Sequence, residues 1–536
     1  MTTDTLSDLS RLPNEIIAQI VNYVQPFSCQ VKLMPIPVFR PFIERNLCHQ
    51  KKWRVSTSSL CPVVPNKALE HKESDDLMPV GYVPPTPVCP NFKNIQVSGD
   101  IDDEDEFRVF NVGSLIHTVT SFHGIYPKSI YFETYGAFKT CSYICPDIIA
   151  YAQDVRVRVA TLLKGNLHSV DRCWAQVDEL INLDCGNVTE LNLQYVDLAG
   201  LDLHRLLLLT TLKSLGMVTY AFMLQNLNLT TLELTDTVVD CGDLKYLPES
   251  LLSLEIDRVI IHSLRYELPF TQLREFLSSF DLYDENTVID LQPLTCLEKC
   301  TIFGCIQFHS LDQLKLPASV QHLTIESCFY LSEIGPIKEY TNLKSFTWTE
   351  ALLSLDFYLH TTFPETLTHL TVNGQNSKSD VVIDGYYRWL PQRFECVYGM
   401  KCYIVDHDFK LPTNLTDLLI SNCRYLSVNC ARLELPPRLE NLTLLNLANL
   451  RNIHALSLPD SLRSLNLNSN KIKCLHGLKI PENLRILKLD DNRLAHIPDS
   501  LLMNKLTTIS LTDNLIRSPP DSPNKRPRDA RGEDTL

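Results

Sequence analysis

Long apolar runs are missing from this chain: nowhere in its 536 residues does a stretch approach the ~18 consecutive apolar residues of a membrane-spanning helix. No membrane partner is expected. The opening MTTDTLSDLS has neither a basic start nor an apolar core, so no secretory signal is expected. A basic excess is missing as well. Lys and Arg number 49 against 63 Asp and Glu, a net charge of −14. Neutralising a phosphate backbone takes a basic face, so nucleic acid is not the expected partner. Catalytic signatures are missing too. No glycine-rich phosphate loop follows a strand, no GxSxG or HExxH occurs, and the 15 histidines are scattered. Cys141-x3-Cys145 and Cys296-x3-Cys300 lack a second pair at zinc-finger spacing. No enzyme activity, cofactor or metal is therefore expected.

What the chain does hold is a repeat. Leu462-xx-Leu465-x-Leu467-xx-Asn470-x-Ile472 is followed by Leu484-xx-Leu487-x-Leu489-xx-Asn492-x-Leu494 and Leu506-xx-Ile509-x-Leu511-xx-Asn514-x-Ile516. The three asparagines stand 22 residues apart. Leucines at the first, fourth and sixth positions give a short strand with one apolar side, and the asparagine turns the chain while bonding to backbone inside the turn. One such unit cannot bury its own apolar face, so units must stack. The pattern resembles the leucine-rich repeat. The fold class this implies is an α/β solenoid, a leucine-rich-repeat horseshoe of about 15 short units lining a parallel inner sheet.

From Val188 onward the ninth position of each unit falls at 196, 220, 237, 259, 281, 305, 328, 351, 375, 399, 423, 447, 470, 492 and 514. Strands ~4.8 Å apart would carry fifteen units along an arc of roughly 70 Å. Register is poorest at 281, where Ser278 takes an apolar site, and at 399, where Pro391 begins the unit. Cys300 sits at a leucine site, and Cys305, Cys328 and Cys423 sit at asparagine sites. These are expected to be buried thiols, and the 18 cysteines are read as reduced in a cytoplasmic or nuclear protein. Proline precedes the first leucine by three residues at Pro248, Pro317, Pro364, Pro412, Pro436, Pro459 and Pro481. Its fixed φ suits an extended run entering a strand, with extended or 3₁₀ segments opposite the strands rather than full helices. These short units resemble those of bacterial secreted leucine-rich effectors, whose catalytic ubiquitin-ligase domain follows the repeats. Arg517 to Leu536 is expected to be too short for such a domain.

Near the N-terminus, LSRLPNEIIAQIVNYV (residues 9–24) places Pro13 at a helix start and Glu15 in the first turn. Ile16, Ile17, Ile20, Val21 and Val24 follow at helical spacing. The LPxE start leading into an aliphatic helix resembles the opening of an F-box, and the pairing with repeats resembles fungal F-box/leucine-rich-repeat proteins. The resemblance implies that Leu12, Pro13, Ile16, Ile17, Ile20 and Val24 face the adaptor of a cullin-RING ubiquitin ligase. The second half departs from the pattern: Pro35, Pro37 and Pro41 interrupt the expected second helix, and only Lys51-Lys52-Trp53 echoes its ending. The alternative is a helix that merely caps the repeats.

The expected organisation is an F-box-like helical module over 1–55, a Pro-rich, acid-ended linker over 56–107, irregular capping units over 108–187, repeats over 188–516 and a disordered tail over 517–536. Phe107, Phe110, Tyr131, Phe132 and Tyr135 would serve the cap. A target protein is expected on the concave sheet at Thr301, Thr324, Thr347, Trp348, Thr371, Thr443, Arg463, Asn466 and Lys488, with Trp348 and Arg463 as anchors. The functional expectation is a non-catalytic substrate receptor of an SCF-type ubiquitin ligase. A leucine-rich-repeat scaffold or signalling adaptor without a ubiquitin role is the alternative, and an enzyme inhibitor a third.

Overall fold

A computed structural model of the chain describes residues 13–23, 39–56, 106–160, 167–351, 363–374, 403–404, 411–427 and 434–516, with short interruptions inside the longer ranges. Leu12, Val24, Phe110, Cys423, almost all of the expected linker and the expected tail lie outside the described residues. The chain divides into two compact units, Met1–Arg258 and Val259–Leu536, described separately below.

In the first unit two helices, α1 (Asn14–Tyr23) and α2 (Arg40–Gln50), pack on each other. Pro41 does not interrupt α2: it occupies the first turn, where its missing N–H costs nothing. Strands β1 (Lys52–Val55) and β2 (Glu106–Val109) follow, then α3 (Val112–Ser121), β3 (Ser129–Phe132), α4 (Tyr135–Ile144) and α5 (Pro146–Ala150). Next come β4 (Asp154–Ala160), α6 (Leu167–Asn182), β5 (Val188–Gln194), β6 (Thr211–Leu215), β7 (Thr231–Asp240) and β8 (Ser253–Ile261). The sheet is parallel, in the order β2–β1–β3–β4–β5–β6–β7. The Leu252 and Ser253 amides extend the ladder by donating to the Thr230 carbonyl. Lys52–Val55, expected to close a helical module, is thus a strand held between β2 and β3.

Alternation within the strands explains the core. Ile130, Phe132, Val155, Val157, Val159, Leu191 and Leu193 point inward and are fully buried, while the residues between them face outward. Trp53 is buried beneath α2: its Nε1 donates to the Leu47 carbonyl at 3.0 Å, and its ring meets Phe107 edge-on at 4.7 Å. Phe107, Phe132 and Tyr135 are buried, whereas Tyr131 stands half-exposed on the open face.

The second unit repeats one motif. Its main parallel sheet contains β9 (Glu275–Leu282), β11 (Lys299–Phe303), β13 (His322–Glu326), β14 (Ser345–Ala351), β15 (His369–Gly374), β17 (Asp417–Ser421), β19 (Asn441–Leu445), β20 (Ser464–Asn466), β21 (Ile486–Lys488) and β22 (Thr508–Ser510), paired in that order. Two short parallel pairs stand apart from it: β10 (Ile289–Asp290) with β12 (Leu314–Lys315), and β16 (Tyr403–Ile404) with β18 (Leu426–Ser427). The architecture is that of leucine-rich repeats.

Two expectations about register change. Thr371 pairs directly with Leu419, so among the described residues no rung stands between them for the unit expected at 399. Lys213, not Gly216, stands between Asn192 and Glu233, so the unit placed at 220 shifts back by three residues. Leu212 takes its fourth position, and Ser214, nearly fully buried, replaces the leucine at its sixth. Ser278 does enter the core, where its Oγ donates to the Ser279 carbonyl at 2.9 Å.

The corners of the repeats rest on local chemistry. Asn470 Nδ2 donates to the carbonyls of Leu444 and Leu467 at 2.8 Å and of Asn468 at 3.1 Å, while its Oδ1 accepts from the Leu447 amide at 2.9 Å. Asn492 and Asn514 repeat the three donations one and two rungs on, while their Oδ1 atoms accept from the Ile472 and Leu494 amides. Cys305 imitates part of it, its Sγ accepting from the Phe280 amide at 3.1 Å. The residue just before this position takes positive φ in rung after rung: Ser327 (51°), Asn422 (56°), Asn446 (47°), Ser469 (56°), Asp491 (53°) and Asp513 (54°), with Gly304 (58°) in the same place.

The prolines do something other than extend the chain. Pro248, Pro317, Pro364, Pro412, Pro436, Pro459 and Pro481 each accept, through the carbonyl, the amide of the residue three positions on. They begin a turn, for which their fixed φ is equally suited. Short 3₁₀ segments such as Leu203–Arg205, Leu311–Gln313 and Ile337–Glu339 occur between strands, as the unit length predicts.

Candidate interaction surface on the open sheet faces

In the second unit, strand register aligns the outward middle positions into one row: Leu277, Thr301, Thr324, Thr347, Thr371, Leu419, Thr443, Asn466, Lys488 and Ser510. All are half-buried except Lys488, which is exposed. The sequence-predicted residues Thr301, Thr324, Thr347, Thr371, Thr443, Asn466 and Lys488 therefore share one face. Trp348 does not. It is fully buried, paired with Ile325 and Val372 on the inward side of the sheet. It occupies the sixth position after Leu343 and Phe346, an apolar site, so parity alone should have assigned it to the core.

Beside the threonine row runs a charged one. Lys299 Nζ meets Glu275 Oε1 at 2.5 Å, and His369 Nε2 lies 3.2 Å from Asp417 Oδ2. His322 in the same row has its pKa lowered by partial burial and by the cations Lys299 and Lys344, so its imidazole is neutral at pH 7. The predicted anchor Arg463 is exposed, one residue ahead of that row, with Nε 3.5 Å from Glu440 Oε2. On the opposite flank Asn468, Asp490 and Thr512 are stitched together. Asp490 Oδ1 accepts from Ser510 Oγ at 2.5 Å, Thr512 N at 2.8 Å and Thr512 Oγ1 at 2.7 Å. Burial works to raise the Asp490 pKa, but these bonds hold it below the usual carboxylate value.

The first unit carries a different face. Its outward positions read Arg54, Tyr131, Arg156 and Glu190 along one row and Arg158, Asn192, Lys213 and Glu233 along the next. Arg156 bridges Asp154 at 2.9 Å and Glu190 at 3.3 Å, and Lys213 meets Glu233 at 2.6 Å. Arg54 lies 3.6 Å from Glu133 and stacks 5.1 Å above the Tyr131 ring. Burial raises the Tyr131 pKa, with Arg158 and Arg54 pulling the other way. Burial also raises that of Glu190, reinforced by Asp154 and Glu233 and opposed by Arg156 and Lys213. This charged face was missed by the sequence reading, which assigned 108–187 to capping. The alternation Val155-Arg156-Val157-Arg158-Val159 was the signal for it.

Of the residues expected to meet an adaptor, Pro13 and Ile16 are exposed, Ile16 at 40%, and Ile20 is half-buried. Ile17 is only 2% exposed and belongs to the chain's own core. Among the described residues no helix is long and apolar enough to cross a membrane, and no group of three or more His, Cys, Asp or Glu could hold a metal ion.

No protein-family model matches the chain, and no curated protein does. Solved structures do. An internalin of Listeria monocytogenes aligns at 16% identity over 68% of this chain and 88% of its own, with a TM-score of 0.33. A leucine-rich-repeat protein of Leptospira interrogans aligns at 18% identity over 62% and 79%, TM-score 0.34. The leucine-rich effector YopM of Yersinia pestis aligns at 18% identity over 63% and 76%, TM-score 0.30.

Proposed function

We propose that this protein is a non-catalytic interaction scaffold whose open sheet faces hold a partner protein. The row from Leu277 to Ser510 carries this reading: strand pairing fixes its side chains at regular spacing, half-buried and outward, on a frame that cannot rearrange without breaking the ladder. Thr301, Thr324, Thr347, Thr371, Thr443, Asn466 and Lys488 would contact the partner, with Arg463 at the margin. Binding would orient the partner without any chemistry by this chain. The test replaces Thr324 and Thr371 together with arginine in the full-length protein and compares co-purifying proteins with wild type by mass spectrometry. Loss of a stoichiometric partner is expected. An unchanged set from a variant that melts like wild type overturns the reading.

A finer version makes the chain the substrate-recognition subunit of an SCF-type ubiquitin ligase. The exposure of Ile16 beside half-buried Ile20 on α1 supports it, because an adaptor would need apolar side chains left free by the chain's own packing. Leu12, Pro13 and Val24 would complete that contact, and Ile17 would not take part. Ile16→Asp combined with Ile20→Asp should abolish co-purification of the adaptor. Absence of an adaptor from the wild-type sample removes this version and leaves the scaffold standing.

A further inference from the structure

The cations on the first unit's open face differ in one respect. Arg54, Arg156 and Lys213 each have a carboxylate partner. Arg158 has none among the described residues; its one polar contact is Nη2 to the neutral Gln194 Oε1 at 2.9 Å. Its Nε is sealed from solvent and makes no hydrogen bond. A half-buried guanidinium with an idle donor and no counter-charge is unfavourable left alone, since desolvation is uncompensated. It becomes favourable when an anion arrives, because the fork geometry of Arg matches a planar carboxylate with two parallel bonds.

Its surroundings set the ligand's charge. Tyr131 lies close to Arg158 and Arg54, and Asn192 pairs with Arg158 across the ladder. Glu133 and Glu190 stand near the same tyrosine, and burial, reinforced by Asp154 and Glu233, disfavours ionisation of Glu190. A singly charged carboxylate fits between these acids better than a doubly charged phosphate, which they would repel.

Resting on the scaffold reading above, we propose that Arg158, with Tyr131 and Asn192, forms a carboxylate-binding anchor for an acidic, extended segment of a partner protein. The chain's overall net charge of −14 works against acidic partners in general, so binding here is local recognition rather than bulk attraction.

The probe is a fluorescein-labelled hexaglutamate peptide, followed by anisotropy with the full-length chain and compared with hexaglutamine and hexaphosphoserine. Wild type should bind hexaglutamate, and Arg158→Gln should weaken it by about tenfold or more, the scale of one charge-assisted fork. Arg158→Lys, which keeps the charge but not the fork, should recover part of the loss and serves if Arg158→Gln melts early. Lys473→Gln, an exposed position in the other unit, should leave affinity unchanged. No binding by wild type, equal binding of hexaglutamine, tighter binding of hexaphosphoserine, or an equal loss in Lys473→Gln each overturns the proposal. A scaffold that still loses its partner on the Thr324 and Thr371 substitutions, yet ignores hexaglutamate, defeats this anchor and not the scaffold.

Discussion

Asn492 shows what a single side chain does in a repeat of this kind. It is 6% exposed and satisfies three carbonyls, those of Leu467, Leu489 and Asp490, while accepting the Ile472 amide at 3.1 Å. Asn492→Ala strands these buried groups, so urea denaturation should show a loss of about 3 kcal/mol. Lys473→Ala, at an exposed position nearby, should change stability by less than about 0.5 kcal/mol. A second prediction concerns Ser469, whose φ of 56° is unfavourable for any residue with a Cβ. Ser469→Gly should stabilise by about 0.5 kcal/mol and raise the melting temperature, and Gly304 already occupies the equivalent corner. The asparagine's role was legible because only an amide both donates and accepts across a turn. The left-handed residue before it was not, since Ser, Asp, Asn and Gly fill that site without a shared pattern. Trp348 was misread for the opposite reason: its bulk suggested an anchor, whereas its place in the alternation put it inside.

Among the elements, β1 and β4 hold the first unit's strands together. Trp53 joins α2 to β1 and also faces Phe122 at the end of α3, at 6.3 Å. Trp53→Ala should cost about 4 kcal/mol, measured by denaturation, from lost packing and an orphaned Leu47 carbonyl. The strand around it was hard to see from sequence because its partners lie far along the chain: Trp53 pairs with Phe107 and Ile130. Asp154 opens β4 and ties it to both neighbours, accepting from Ser129 Oγ at 2.8 Å and Thr189 Oγ1 at 2.5 Å. Burial alone would raise its pKa, but these bonds and Arg156 outweigh burial and leave it lowered. A carboxyl with a lowered folded pKa stabilises fully above its unfolded value, near about pH 4, and that contribution drains as pH falls through the folded value. Asp154→Asn should thus be less stable than wild type at about pH 6, and the gap should close towards about pH 2 in urea melts. Equal gaps at both ends would contradict this. Lys213 belongs at this scale too. The spacing Leu212-xx-Leu215 imitates a repeat start, and only pairing with Leu191 and Leu232 fixes the true register.

At the scale of the molecule, a stack in which each rung touches only its neighbours should vary in stability along its length. The last described rung exposes Ile509 at 42%, whereas Leu487 one rung inward is fully buried. Leu487→Ala should cost about 3 kcal/mol and Ile509→Ala under about 1 kcal/mol, and amides of Thr508–Ser510 should exchange faster than those of Ile486–Lys488. The repeats themselves were legible across the chain, because period and parity need no knowledge of distant contacts. The direct pairing of Thr371 with Leu419 was not, because a 48-residue interval divides as neatly into two units as into one long connection.

The asparagine bonds also run in one direction. Asn470 reaches back to Leu444 and Leu447, Asn492 to Leu467 and Ile472, and Asn514 to Leu489 and Leu494. A chain leaving the ribosome would therefore finish each bend only once the following turn has been translated, so the growing end always trails one incomplete step.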